Sequence, residues 1–134
     1  MSAALLEVSE LRVDLATTSR SRSPSRSLVG PLDLAIHAGE RVALVGPSGA
    51  GKSLTLAALL GLLPAGLRAS GRARLSGRDV SLARARTQLV RERGGMLTWL
   101  PQHAAASLDP VTRVGTQLAE VQRIHGTSDR SDEL

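Results

Sequence analysis

The stretch Arg41-Val42-Ala43-Leu44-Val45-Gly46-Pro47-Ser48-Gly49-Ala50-Gly51-Lys52-Ser53 decides how the rest of the chain is read. Its first part is a near-continuous apolar run, the pattern of a strand buried on both faces, as in a parallel sheet. From Gly46 the order is glycine, four residues, glycine, lysine, serine, a phosphate-binding loop. The glycines let the backbone curl so that successive N–H groups point inward. A helix opening near Gly51 brings the positive end of its dipole to the same place. Lys52 supplies a mobile point charge for β- and γ-phosphates. The Ser53 hydroxyl suits Mg²⁺, a cation that takes oxygen ligands. Behind the loop, Leu56, Leu59, Leu60 and Leu63 fall at helical spacing. Strand, loop and striped helix in that order are what a phosphate site of this kind requires.

Outward from this centre, Leu6 to Leu15 alternates and reads as one or two short strands. Thr17 to Ser27 is polar, with Arg20, Arg22 and Arg26 among serines, and reads as a loop between strands in preference to an RNA-binding arginine–serine tail. Leu32 to Ile36 alternates as a strand, and His37-Ala38-Gly39-Glu40 makes a turn. Pro64-Ala65-Gly66 is expected to stop the helix after the loop. Gly71 to Val80 has the form of a hairpin turning at Ser76-Gly77. Ser81 to Arg93 fits a basic surface helix broken by Gly94-Gly95. Met96 to Leu100 reads as a further strand ending at Pro101, with Trp99 in the core. Val114 to Ile124 fits an amphipathic helix. No repeat is present.

The 134 residues suffice for one domain with its own core, and 42% of them are apolar. Trp99 is the one aromatic residue, so Leu, Val and Ala fill the core. Cysteine is absent, which excludes disulfides, thiolate metal sites and cysteine nucleophiles. The net charge of +5 and pI near 11.4 favour anionic partners. Leu54 to Leu63 is too short to cross a bilayer, and Met1 to Glu7 lacks the pattern of a signal peptide. The terminal Ser131-Asp132-Glu133-Leu134 echoes a retention signal only by chance. His37, His103 and His125 stand singly without metal-ligand spacing. Asp109 and Glu120 are too distant in sequence for pairing with the loop to be inferred.

With the loop in place, its flanks become recognisable. Pro31 to Ile36 followed by Ala38 to Gly46 resembles the entry to the catalytic core of an ATP-binding-cassette (ABC) ATPase. Leu100-Pro101-Gln102 resembles that family's Q-loop. Lys52 to Thr55, Leu62 to Gly66, Gly71 to Val80, Ser107-Leu108-Asp109-Pro110 and Val114 to Glu120 are similar to the subfamily that energises uptake of dipeptides, oligopeptides and nickel. The resemblance covers roughly residues 5 to 125. It implies an α/β fold: the front of a P-loop NTPase core joined to an ABC-type antiparallel β-subdomain. One partial nucleotide-binding domain would span 1–125, followed by a polar tail at 126–134. The implied cofactors are ATP and Mg²⁺. Gly46, Pro47, Ser48, Gly49, Ala50, Gly51, Lys52 and Ser53 would hold the nucleotide, and Ser53 and Gln102 the metal. The implied partners are transmembrane permease subunits and a second ATP-binding subunit in a sandwich dimer, at the inner face of the plasma membrane. Nucleic acid is not an expected partner.

Departures from the family are equally definite. No Leu-Ser-Gly-Gly-Gln segment occurs, nor the Walker B strand with its aspartate and glutamate, the D-loop or the switch histidine. The chain therefore reads as truncated before those motifs. Leu15 or a neighbour stands where the family places an adenine-stacking aromatic, and His103-Ala104 replaces Asp-Pro after Gln102. The resemblance implies an ATP-binding subunit, or a truncated fragment of one, of an importer of the peptide or nickel type. The alternatives are a nucleotide-binding regulatory module without hydrolysis, or a non-functional gene remnant.

Overall fold

A computed structural model describes residues 4–16, 26–102 and 107–125. The chain divides into two units, Met1–Arg91 and Glu92–Leu134. In the first unit β1 (Leu6–Leu15), β2 (Ser27–Ile36), β3 (Leu67–Leu75) and β4 (Arg78–Ser81) form one sheet in the order β2-β1-β3-β4. Every neighbouring pair is antiparallel. Helix α1 (Lys52–Leu59) lies between β2 and β3 in sequence, and a 3₁₀ turn (Leu82–Arg84) leads into the short α2 (Ala85–Gln88).

The inner face of the sheet follows the alternation of its strands. Val8, Leu11 and Val13 of β1 and Ala69, Ala73 and Leu75 of β3 are buried, together with Thr55, Ala58 and Leu60 from the α1 region. The step from Val8 to Leu11 is one residue too long for a regular strand. Val8 pairs with Leu34 but Leu11 with Leu32, and Ser9 pairs with Arg72 but Arg12 with Ser70. One extra residue in β1 therefore opposes both neighbours, which is a β-bulge. Glu10 carries it at φ 54, and its N–H donates to Asp33 Oδ1 at 2.7 Å. The bulge returns Leu11 and Val13 to the buried face, which a plain strand would have turned outward.

Space for the bulge comes from Gly71 on β3. Its φ is 104, and a Cβ built there would lie 2.6 Å from the Glu10 carbonyl oxygen. The β3–β4 hairpin closes as expected through Ser76 (φ 47) and Gly77 (φ 81). Positive φ at both central residues is the backbone of a two-residue hairpin turn that matches strand twist.

Four expectations are corrected. Residues 41–45 form no strand and are exposed, with Val42 at 47%, Leu44 at 43% and Val45 at 88%. A strand needs a hydrogen-bonding neighbour, and none of the described strands pairs with this run. Met96 to Leu100 in the second unit likewise makes a single bridge, Arg93 to Leu97. The Gly94 N–H donates to Leu97 O and the Leu97 N–H to Glu92 O, both at 2.8 Å, so the segment is a turn. Trp99 is 42% exposed and no core residue. Helix α1 stops before Pro64: the Leu62 N–H bonds Ala57 O at 2.7 Å and the Gly61 N–H bonds Ala58 O at 3.1 Å. With Gly61 at φ 64, these are the paired bonds of a glycine C-terminal cap.

The basic segment after β4 is only partly helical; it buries Leu82, Ala85 and Leu89 and leaves Arg84, Arg86 and Thr87 exposed. Of the expected polar loop, 17–25 lies outside the described residues and Ser27 already belongs to β2. The second unit carries α3 (Val114–His125), the expected amphipathic helix, with Val114, Leu118, Val121 and Ile124 exposed.

The bulge makes Gly71 far less replaceable than the hairpin glycine Gly77. Gly77→Ala should cost about 1–2 kcal/mol, the penalty for left-handed backbone alone, since nothing lies within 4 Å of its added Cβ. Gly71→Ala should cost about 1–3 kcal/mol more, from forced overpacking against backbone. Urea denaturation of the two variants measures this difference, and equal costs would remove the account of the bulge.

Candidate functional site

The loop expected to bind phosphate lies in the first unit, between the exposed run 41–45 and α1. Its entrance is the turn His37 to Glu40. The Glu40 carboxylate accepts the His37 backbone N–H at 2.8 Å and faces the His37 ring Nδ1 at 3.2 Å. These bonds, the backbone one first, hold the Glu40 carboxyl below its ordinary range. The support they give the turn is complete above the ordinary carboxylate pKa and fades as pH falls through the lowered one.

Within the loop, the Ala50 N–H bonds Pro47 O at 3.2 Å, closing a reverse turn with Gly49 at φ 80. Positive φ at the third turn position favours glycine. Gly51, at φ 88, forms the helix N-cap, and no side chain caps the helix there. The first intrahelical bond runs from the Thr55 N–H to Gly51 O at 2.8 Å. The N–H groups of the preceding helical residues have no intrahelical acceptor and give the helix start its partial positive charge.

Lys52 folds back over this loop. Its Nζ donates to Gly46 O at 2.8 Å and to Pro47 O at 2.7 Å. The ammonium thus sits at the loop's own carbonyls, beside the uncapped helix start. Ser53, the next residue, is exposed. An added Cβ at Gly49 would meet nothing within 4 Å. The donor set, a lysine ammonium, helix N–H groups and an exposed hydroxyl, fits a polyphosphate with Mg²⁺: the cation would neutralise phosphate charge and take oxygen ligands.

The rear of the loop rests on β2. A Cβ on Gly51 would lie 2.5 Å from Val29 Cγ2 and 3.2 Å from Leu28 O. Thr55, buried at 4% exposure, also donates its hydroxyl to Gly51 O at 3.0 Å. Val29 and Thr55 are the positioning residues that sequence reading passed over. The only available signal was the threonine one helical turn after Gly51. Beside them runs a groove of about 360 Å³ whose lining includes Leu28, Val29, Leu32, Leu44, Val45 and Lys52.

Gln102 is exposed and belongs to the second unit, outside any helix or strand. Residues 46–53 are thus brought together by one local structure, and Gln102 is not part of it. His103 lies outside the described residues, as does the side chain of His125. Among the described residues no cluster of His, Cys, Asp or Glu could hold a metal.

In the same unit Asp109 organises a turn. Its carboxylate accepts the Val111 N–H and the Thr112 hydroxyl, both at 2.9 Å. Gln117 of α3 accepts the Asp109 N–H at 2.9 Å and donates to Asp109 O at 3.0 Å and Thr112 O at 2.8 Å. This stapling by Gln117 was also missed, because a glutamine in an amphipathic helix gives no sequence signal.

Residues 29–133 match the ABC transporter family, and the chain belongs to that family. It is 36% identical over 129 residues to the oligopeptide transport ATP-binding protein OppD of Escherichia coli, covering 96% of this chain and 37% of that protein. It is 39% identical over 121 residues to OppD of Salmonella typhimurium, covering 90% and 35% respectively. A probable peptide ABC transporter ATP-binding protein of Sinorhizobium fredii is 32% identical over 123 residues, covering 90% and 36%. The chain therefore spans little more than a third of the length of these relatives.

Val29 and Gly51 are coupled by packing, and a double-mutant cycle measures that coupling. Gly49→Ala should cost about 1–2 kcal/mol, and Gly51→Ala about 1–3 kcal/mol beyond that, from the contact with Val29. Adding Val29→Ala to Gly51→Ala should recover part of the loss. Strict additivity in denaturation would show that β2 does not support the loop.

Proposed function

We propose that residues 46–53 hold the phosphates of ATP·Mg²⁺ and that the chain is the ATP-binding part of a peptide-type ABC importer. The observation that carries this reading is the Lys52 ammonium held at the loop carbonyls beside an uncapped helix start. An incoming triphosphate replaces those neutral carbonyl acceptors with anionic phosphate oxygens, so that both partners of each bond are charged. Ser53 is the proposed metal ligand. Gln102, from the second unit, is the second ligand or the residue that orients water, and the two units together make up one nucleotide-binding domain. The names of the relatives supply the class of cargo, peptides; permease subunits and a second ATP-binding subunit are the partners that the family resemblance implies. None of the described helices is long and apolar enough to cross a membrane, so attachment to the inner membrane face would come through the permease.

Phosphoryl transfer requires a placed water and closure of charge around the γ-phosphate as well as a cradle. These 134 residues contain no Leu-Ser-Gly-Gly-Gln segment, so the chain by itself binds ATP without turning it over. Base selectivity is weak for a related reason. The one aromatic residue is Trp99, and β1 ends in Leu15, which offers adenine no stacking ring.

Calorimetric titration tests these statements. Lys52→Ala should weaken ATP·Mg²⁺ binding about tenfold or more, the loss of about 1.5–3 kcal/mol expected for a charge-assisted contact. Its circular dichroism should match the wild type. GTP should bind within a few-fold of ATP, and phosphate release should equal that of Lys52→Ala. Equal dissociation constants for wild type and Lys52→Ala would overturn the phosphate assignment, and a strong preference for ATP would reveal an adenine pocket.

A further inference from the structure

A second groove of the first unit lies at the C-terminal end of α1, where that helix meets the start of β3 and the 3₁₀ turn. It encloses about 370 Å³, near the lower end of the range of about 300–1,000 Å³ usual for small-ligand pockets. Among its lining residues Ala58, Ala69 and Leu82 are buried and Leu63 and Leu67 half-buried, so its interior is aliphatic. Its charge is one-sided. Among the described residues Arg68 and Arg86 are the only polar side chains lining it, and no acid does. Between Glu40 and Glu92 the sequence has one acid, Asp79, and Arg74 bonds that carboxylate at 2.9 Å. Asp14 stands opposite Arg68 in the β1–β3 register, but among the described residues no ion pair joins them.

We propose that this groove binds an alkyl carboxylate of medium chain length, its chain along the aliphatic interior and its carboxylate on Arg86. The donor set selects that class. Arginine side chains only donate, and the other lining side chains neither donate nor accept. The groove's side chains therefore favour a head group that only accepts. An ionised carboxylate is such a head, and its two oxygens match the planar fork of a guanidinium. The body must be apolar. A hydroxyl or amide set against Ala58, Ala69 or Leu82 would leave water without gaining a bond from those side chains. A peptide is the poorer occupant for the same reason, because its amide N–H groups meet no acceptor side chain.

Arg86 is held in place for this role. Its Nη2 donates to Leu63 O at 2.8 Å, which ties the guanidinium to one wall of the groove. A guanidinium has five N–H donors, and its positive charge stays with it whatever else it bonds. The backbone beneath it is fixed as well: a Cβ on Gly61 would lie 2.6 Å from the Arg86 N. A side chain already positioned loses less freedom on binding than one that must be recruited. Arg68, exposed on β3, adds a second positive charge to the same lining.

Titration of octanoate into the ¹⁵N-labelled chain tests the proposal. The expected result is saturable amide shifts confined to residues 58–69 and 82–86. Octanol carries the chain without the charge and acetate the charge without the chain, and each should bind at least about fivefold more weakly. Arg86→Gln should weaken octanoate at least about fivefold and leave octanol unchanged, a split that general loss of structure does not produce. Ala83→Leu, at an exposed lining position, should fill the groove and block both ligands with its circular dichroism unaltered. Lys52→Ala should bind octanoate as the wild type does, since the phosphate loop takes no part. Equal binding of octanol and octanoate, or full octanoate binding by Arg86→Gln, would overturn the carboxylate assignment. Acetate binding as tightly as octanoate would reduce the site to a surface arginine contact and overturn the proposal. Shifts spread over the other arginines, or shifts that never saturate, would overturn it too. Tighter binding of N-acetyl-leucyl-leucine than of octanoate would assign the groove to a peptide C-terminus and overturn the stated ligand.

Discussion

The seat of Gly51 on Val29 joins the two halves of this structure's physics. Gly51 is both the left-handed residue that ends the loop, at φ 88, and the point where the helix start touches the sheet. A side chain there would push the start of α1, Lys52 included, away from β2. Thr55 reinforces the same point, bonding Gly51 O through both its N–H and its hydroxyl. The far end of α1 is held as firmly: Gly61 caps the helix and comes so close to α2 that a Cβ would lie 2.5 Å from the Ala85 carbonyl carbon. The loop is thus anchored from behind by a helix fixed at both ends. At its front, 41–45 makes no backbone hydrogen bond among the described residues.

This asymmetry gives the sheet its purpose. β1 runs through the middle of the antiparallel sheet, and its bulge keeps Val8, Leu11 and Val13 all facing inward. The bulge would be costly without Gly71 to clear its carbonyls and Asp33 to take its N–H. Asp33 lies on β2, the strand that also carries Val29. One strand therefore satisfies the irregularity of β1 and supports the loop at 46–53.

What the sequence made legible is what depends on neighbours in sequence. The loop at 46–53 and the turn at Ser76-Gly77 are dictated by short-range backbone demands, and both were readable. The ABC family was readable because its spacing extends over most of the chain. The bulge was not, because Glu10 at positive φ gives no sign of itself and its permission is written in Gly71 and Asp33, far away in the chain. The runs 41–45 and 96–100 have strand composition, but strand is a relation between segments, and composition names no partner. Pro64 looked like the end of α1, yet Gly61 ends it first, since a cap needs only a left-handed residue while proline merely forbids continuation. Gln102 was readable by resemblance alone, and its role as a metal ligand remains a proposal.

The central claim is that anionic ligand is held by the loop and helix start, not by the chain's general basic charge. Titration of tripolyphosphate with Mg²⁺ into ¹⁵N-labelled chain tests this directly, because it removes the base and sugar and maps each amide. The account predicts saturable shifts concentrated on residues 46–54. Shifts spread instead over the arginines of the outer sheet face, such as Arg72 and Arg74, and lost in moderate salt would contradict it.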